Sequence, residues 1–223
     1  MTNVAHNLEA FRENIKSYNC TLVAISKTKP NEMLMAAYEA GARDLGENKV
    51  QEMTAKYEEL PKDIRWHMVG HLQRNKVKYI APYVALIHSV DSFKLLKEIE
   101  KQGRKAERVV PCLLQMHIAE EESKFGLDEG ELMEILESDE LANMEHVRIE
   151  GLMGMATFTE NHHQVRNEFK KLKAIFDQVQ SLQTPDPVIM KTLSMGMSGD
   201  YNIALEEGSN MIRIGTHIFG ART

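Results

Sequence analysis

Eight short apolar or mixed segments recur along the 223-residue chain, and they constrain its fold more than any other feature. Each has the length and the apolar content that are typical of a strand. Segments with helical spacing lie between them, so strand and helix alternate along the whole chain. Such alternation predicts a parallel sheet covered by helices. The predicted strands are 20–26, 42–47, 64–70, 86–91, 109–118, 147–156, 187–195 and 210–215.

Three of the helical segments are well marked. In 163–182, apolar residues recur at steps of three and four. Segment 92–106 follows a candidate cap at Asp91 or Ser92. The third begins the chain, and its apolar positions are Val4, Leu8, Phe11 and Ile15.

Eight strands with seven intervening helices predict an α/β fold, a (β/α)8 or TIM barrel, as one domain over residues 1–223. We expect the N-terminal helix to cover the position of an eighth helix, because few residues follow the eighth strand. An open, doubly wound sheet is the alternative, but the chain has no Gly-x-Gly-x-x-Gly fingerprint to support it. No linker rich in Pro, Gly or Ser divides the chain.

Composition excludes several classes of function. The net charge of −6 has no block of like charge behind it, which argues against nucleic acid or a membrane surface as partner. Cys20 and Cys112 lie in or beside strand patterns and are interpreted as small core residues. The chain has neither a bilayer-spanning stretch nor an apolar leader pattern, so we expect a cytoplasmic protein. A monomer is the default expectation.

The first predicted strand delivers Lys27 to its C-terminal end, which is where a barrel carries its chemistry. Partial desolvation at such a place lowers an ammonium pKa, which makes the lysine a candidate amine nucleophile. The alternatives are a solvated surface lysine, or Lys29, which lies on the same side if the strand continues. Pro30 favours Lys27, because it indicates that the strand has ended.

The eighth predicted strand ends in Arg213, Gly215 and Thr216. Backbone N–H groups and a hydroxyl at such a tip can bind phosphate. An amine and a phosphate site together indicate a ligand that carries both an aldehyde and a phosphate, and pyridoxal 5′-phosphate fits.

His67 and His71 have the spacing of a helical metal pair, but they fall on a strand end and a loop. We interpret them as hydrogen-bonded histidines and expect no metal site.

Several segments, in order along nearly the whole chain, resemble the pyridoxal phosphate homeostasis proteins. This family has a single domain that is similar to the N-terminal barrel of alanine racemase, the fold-type III class. The resemblance therefore implies the same barrel, with pyridoxal 5′-phosphate as its cofactor. The segments are SKTKP at 26–30, GENKVQE at 46–52, WHMVGHLQRNK at 66–76, LSMGMSGD at 193–200 and RIGTHIFGAR at 213–222.

The same resemblance assigns roles to individual residues. It implies that Lys27 holds the cofactor as an aldimine, a Schiff base, and that Arg213 faces its pyridine nitrogen. Gly215 and Thr216 are implied to bind the phosphate, and Asn48 to lie near the cofactor.

Two points of the family pattern stay open. Ser194 or Ser198 is implied to help bind the phosphate, and Ser198 has the spacing to Arg213 that resembles the racemase. After Gln115 the family has a small apolar residue and then asparagine, whereas this chain has Met116 and His117.

The resemblance implies a non-enzymatic carrier in vitamin B6 homeostasis, which holds the cofactor and delivers it to apo-enzymes. Arg213 supports the expectation of a non-enzymatic carrier. A guanidinium has only hydrogen-bond donors and therefore favours an unprotonated ring nitrogen, and a ring in that state is a poor electron sink. The second base of alanine racemase is a tyrosine from a C-terminal domain, which we expect to be absent after Thr223. The alternatives are a weak racemase that works through Lys27 alone, and a barrel that binds some other phosphorylated ligand without a Schiff base.

Overall fold

The computed structural model describes residues 3–120 and 125–221, whose strands close into a parallel barrel in chain order. The eighth strand pairs with the first, which confirms the predicted (β/α)8 barrel and excludes the open sheet. Arg222 of the quoted motif and the ends of the predicted domain lie outside the described residues. The strands are β1 (Thr21–Ile25), β2 (Asp44–Glu47), β3 (Arg65–Met68), β4 (Leu86–Val90), β5 (Val110–Met116), β6 (Val147–Gly154), β7 (Val188–Met197) and β8 (Met211–Ile214).

The helices follow the predicted order, and the two long ones match closely. Ser92, rather than Asp91, caps the helix of residues 93–105, since its side chain accepts a hydrogen bond from the Leu95 N–H. The described part of the connection from β5 to β6 contains two helices, since the first ends at Leu136 and Ser138 caps the second. The helices are α1 (Val4–Ile15), α2 (Asn31–Glu39), α3 (Val50–Glu59), α4 (Val77–Ile80), α5 (Phe93–Lys105), α6 (Glu129–Leu136), α7 (Asp139–Ala142), α8 (His162–Ser181), α9 (Tyr201–Glu206) and α10 (Thr216–Phe219).

Alternate residues of each strand face two different cores. The larger core lies between the strands and the helices and holds bulky side chains such as Trp66 and Phe169. A smaller cluster fills the inside of the barrel. It consists of Val23, Leu86, Leu113, Met153 and Met211.

The N-terminal helix α1 packs against α2 and α10, which is the position where an eighth helix is expected. Its four predicted apolar positions are buried. Asn7 Nδ2 ties it to the end of the chain by a hydrogen bond of 3.1 Å to Ile218 O. Within the two described ranges, no helix is long and apolar enough to cross a membrane.

Candidate functional site

A cavity of about 350 Å³ opens at the C-terminal ends of the strands, a volume within the roughly 300–1,000 Å³ typical of small-molecule sites. Four of the seven residues predicted for the site line this cavity. One of them lies in β8, and the other three follow the ends of β1, β2 and β8. Those four are Lys27, Asn48, Arg213 and Gly215. The other lining residues are Ile25, Val69, Gly70, His71, Gln115, Phe125, Met155 and Met197.

Lys27 and Lys29 lie on different sides of the loop after β1. The half-buried Lys27 borders the cavity. Lys29 points elsewhere, because its Nζ donates a hydrogen bond of 2.8 Å to Ala221 O. The chain turns sharply between the two lysines, since Thr28 has a φ of +66°, in the left-handed region. The structure therefore places Lys27, and not Lys29, where an amine can meet a ligand.

A buried charged cluster, which we call the Lys56 cluster, holds this loop from outside the barrel. It consists of Ser26, Glu47, Glu52 and Lys56. Lys56 Nζ donates hydrogen bonds to Ser26 O at 2.9 Å, to Glu47 Oε1 at 2.8 Å and to Glu52 Oε1 at 2.7 Å. Ser26 Oγ also donates to Glu47 Oε1 at 2.6 Å. The backbone on the N-terminal side of Lys27 is thus fixed by α3.

The two carboxylates of the cluster differ in exposure and in role. Glu47 is fully buried, and burial raises the pKa of its carboxyl although hydrogen bonds from Lys56 and Ser26 oppose the shift. Its Oε2 is buried without a hydrogen-bond partner among the described residues. Glu52 accepts a hydrogen bond of 2.6 Å from the Thr28 N–H, which secures the other side of the turn. Lys27 is therefore anchored on both sides by acidic side chains.

Arg213 lies at the inner end of the cavity and is 5% exposed. Its guanidinium donates hydrogen bonds of 2.6 Å to Ser194 Oγ and 3.0 Å to Gly154 O, which use two of the five N–H groups. Burial lowers the pKa of the guanidinium to about 10, and the charge of Asp200 opposes that shift. At neutral pH the group is therefore a buried cation with neutral acceptors on its inner side.

The structure separates the two serines that the sequence left open. Ser194 is completely buried beneath the cavity and accepts the hydrogen bond from Arg213. Ser198 lies at the strand tip, where its Oγ accepts a hydrogen bond of 3.4 Å from the Gly215 N–H. Thr216 is exposed and directly follows Gly215 at the start of α10. One corner of the site thus combines backbone N–H groups with two hydroxyls.

The β2 and β3 ends approach each other closely beside Lys27. A Cβ built on Gly70 would lie 2.5 Å from Asn48 O, so only glycine lets this loop reach the backbone of Asn48. Asn48 itself is half-buried and borders the cavity. The close approach of the two loops narrows the cavity on that side.

An aromatic rim that begins at His71, the residue after Gly70, was not predicted from the sequence. Phe125 is 62% exposed and stacks on His71, with ring centroids 4.9 Å apart. Gln115 Nε2 holds the Phe125 carbonyl at 2.7 Å. The sequence placed Gln115 and His71 at strand ends, but nothing marked Phe125, which belongs to a long connection. His117, which replaces the asparagine of the family, follows β5 and is half-buried.

The interpretation of His67 and His71 as separate, hydrogen-bonded histidines agrees with their positions. His67 is buried inside the barrel and contacts Asp44 Oδ1 at 3.0 Å. His71 lies on the rim, where its Nδ1 is 3.2 Å from Asp91 Oδ2. The spacing of four residues places the two rings on different faces, because β3 ends between them.

Comparison of sequences finds close relatives over nearly the whole length. Residues 1–223 match the family model described as alanine racemase, N-terminal domain. The chain is 42% identical over 207 residues to the pyridoxal phosphate homeostasis protein of Aquifex aeolicus strain VF5. That match covers 92% of this chain and 88% of the relative.

Comparison of structures gives the same relationship. PipY of Synechococcus elongatus PCC7942, solved with pyridoxal phosphate bound, superposes with a TM-score of 0.88 at 32% identity, covering 97% of this chain and 100% of PipY. Alanine racemase from Streptomyces coelicolor A3(2) superposes with a TM-score of 0.76 at 17% identity. That likeness shows the fold alone, over 99% of this chain and 58% of the racemase.

Proposed function

Because the chain belongs to the pyridoxal phosphate homeostasis protein family, we propose that it binds pyridoxal 5′-phosphate in this cavity and delivers it to apo-enzymes, without dedicated catalysis. The observation that carries the proposal is that an amine, a buried guanidinium and a backbone N–H corner border one cavity. Lys27 supplies the first, Arg213 the second and Gly215 the third. All three come from one chain, so a monomer can perform this function.

The donor set suits each end of such a cofactor. The phosphate is an anion, and Gly215 and Thr216 offer backbone N–H groups with the Ser198 and Thr216 hydroxyls beside them. A Cβ on Gly215 would lie 3.2 Å from Ile25 O, so glycine lets the end of β8 lie close to the end of β1. Between Ser194 and Ser198 we propose Ser198 for the phosphate, since Ser194 lies under Arg213.

Lys27 provides the covalent attachment in this proposal. When bound, pyridoxal 5′-phosphate would supply an aldehyde, the group with which a primary amine condenses reversibly with loss of one water. Lys27 offers its Nζ from a loop that Lys56 holds at Ser26 on one side and Glu52 holds at Thr28 on the other. The same amine is half-exposed, so water can reach it and reverse the attachment. A carrier needs this reversibility.

Arg213 limits what the site can catalyse. A guanidinium only donates hydrogen bonds and stays charged at neutral pH, so it favours an unprotonated ring nitrogen opposite it. An unprotonated ring withdraws electrons weakly, which disfavours carbanions on a bound amino acid. Asn48 lies near the cofactor in this proposal and supplies an amide, which is neither a general acid nor a general base at neutral pH.

The rim offers little protection for acid–base chemistry. Efficient racemisation needs a proton-exchanging group on each face of the substrate. Among the described residues that line the cavity, Lys27 and His71 are the candidates. His71 is exposed and contacts Asp91, so solvent reaches this side chain directly. This arrangement supports storage and transfer of the cofactor better than turnover.

A cofactor-transfer assay tests the proposal. The loaded protein, mixed with an apo form of a pyridoxal-phosphate enzyme, should restore that enzyme's activity. Lys27→Ala should bind and transfer much less cofactor, whereas the control Lys29→Ala should behave like the wild type, because Lys29 points away from the cavity. Racemisation of an amino acid at roughly 1–1,000 s⁻¹ that Lys27→Ala abolishes would instead establish the racemase alternative.

A further inference from the structure

Five polar side chains form a continuous line through the inside of the barrel, and we call them the inner line. Asp44 contacts His67 at 3.0 Å, His67 contacts His88 at 2.9 Å, and His88 contacts Ser194 at 3.1 Å. Ser194 then accepts the 2.6 Å hydrogen bond from Arg213. Since β4 and β7 are not neighbours in the sheet, the contact between His88 and Ser194 must cross the barrel interior.

The line is buried along most of its length. His67 is 3% exposed, and His88 and Ser194 are completely buried. Asp44 is the end nearest to solvent, and there Arg65 clamps its carboxylate with Nε at 2.7 Å from Oδ1 and Nη2 at 2.5 Å from Oδ2. The opposite end, Arg213, borders the cavity. The line therefore joins the N-terminal side of the barrel to the candidate site.

The two ends fix the direction of the hydrogen bonds. Burial opposes ionisation of Asp44, but hydrogen bonds from His67 and Arg65 lower its pKa to about 2, so it is an acceptor at neutral pH. Arg213 can only donate. His67 must therefore donate from Nε2 to Asp44, and Ser194 must accept from Arg213.

In the middle of the line, only one placement of the hydrogens then keeps both imidazole rings neutral. Arg65 already compensates the Asp44 charge, so a protonated His67 would add an uncompensated buried cation. Burial, together with the charge of Arg213, lowers the pKa of His88 well below its usual value. A neutral His67 accepts at Nδ1, so His88 donates from Nε2. His88 accepts at Nδ1, so the Ser194 hydroxyl donates to it.

We propose that His67, His88 and Ser194 are positioning residues, which hold Arg213 at the floor of the cavity through hydrogen bonds that all run from Arg213 toward Asp44. Every donor in the line meets an acceptor, and such chains strengthen each bond by polarising the next. The Ser194 hydrogen is turned away from the cavity. Arg213 is thus the group of this line that meets the ligand, and Ser194 neither binds phosphate nor protonates the ring; this last step rests on the proposed function.

The direction of the line can be read from the protein without any ligand. Nitrogen-15 NMR of protein labelled at histidine distinguishes Nε2–H from Nδ1–H imidazoles, and His67→Gln and His88→Gln spectra assign the two signals. We expect both rings to be neutral and to carry hydrogen on Nε2 at neutral pH. An Nδ1–H tautomer on either ring, or a doubly protonated His67, would overturn the proposal.

The effect on Arg213 is tested with the loaded protein. Ser194→Ala should change the absorption spectrum of the bound cofactor and raise its Kd roughly tenfold, because a charged donor loses its acceptor. Ser194→Thr keeps the hydroxyl and should restore both values, and Ser181→Ala, an exposed serine of α8, should match the wild type. An unchanged spectrum and Kd in Ser194→Ala would refute the positioning role. If the wild type does not bind pyridoxal 5′-phosphate, the proposed function fails, while the tautomers still decide the direction of the line.

Discussion

Lys27 and Arg213 border the same cavity, but two different kinds of buried structure hold them. Outside the barrel, the Lys56 cluster fixes the loop of Lys27 with one ion pair between β2 and α3 and one within α3. Inside the barrel, the inner line supports Arg213 with hydrogen bonds through neutral groups. Removing one partner of a buried ion pair leaves an uncompensated charge, whereas a neutral hydrogen bond costs less to lose. We therefore expect the outer support to dominate stability and the inner one to tune the ligand site.

The largest expected effect comes from breaking the outer support. Lys56→Met removes three hydrogen bonds and leaves Glu47 ionised and buried, so it should lower the free energy of unfolding by about 3–5 kcal/mol. Burial raises the folded-state pKa of Glu47, so protonation at lower pH relieves the charge and the loss should grow as the pH rises through that pKa. Urea unfolding at mildly acidic and neutral pH measures both.

The matched control for this prediction is Lys170→Met, which removes an exposed lysine of α8. It should change the free energy of unfolding by less than about 0.5 kcal/mol. If Lys56→Met is no worse than this control, the Lys56 cluster does not stabilise the fold, and the contrast between the two supports is wrong.

Breaking the solvent end of the inner line should have an intermediate effect. Asp44→Asn keeps an acceptor for His67 but removes the charge, and it should cost roughly 1–2 kcal/mol near neutral pH. The folded-state pKa of Asp44 is about 2, below the unfolded value of about 3.9, so its stabilisation is present above the unfolded value and disappears as the pH falls through about 2. The difference between wild type and variant should therefore narrow in acid. A difference that does not depend on pH would show that the charge is not what matters.

The smallest expected effect concerns the turn at Lys27. Thr28 is β-branched and has a φ of +66°, a conformation that asparagine tolerates better. Thr28→Asn should therefore raise the free energy of unfolding by roughly 0.5–1 kcal/mol, measured by urea unfolding. Glu107→Asn, at a φ of +53° far from the cavity, should give a similar gain and serves as the reference. A loss in Thr28→Asn alone would mean that Thr28 makes a contact worth more than the strain.

The sequence predicted the parts of the site that depend on strand ends. Continuous apolar runs locate β1 and β8, and the residues just after such runs lie at the mouth of a barrel, so Lys27 and Gly215 could be identified. The inner line could not be predicted in this way. Alternation tells which face His88 occupies, but its contact with Ser194 depends on how the barrel closes across strands that are not neighbours. The choice between Ser194 and Ser198 needed the same information.

The Lys56 cluster could not be predicted from the sequence for a related reason. Glu47 lies within a predicted motif, and Lys56 lies on a helix where most lysines are solvated. Their pairing depends on the angle at which α3 packs on β2, which no local pattern encodes. The residues that line the cavity were therefore easier to predict than the residues that support them.

The central claim is that Lys27 holds the cofactor, and borohydride reduction tests it most directly. Protein loaded with pyridoxal 5′-phosphate is reduced, digested and analysed by tandem mass spectrometry, which places the stable adduct on one residue. We expect the adduct on Lys27, and no specific adduct in Lys27→Ala, although Lys29 remains two residues away. An adduct on Lys29 in the wild type, or a loaded protein without any reducible adduct, would contradict the claim.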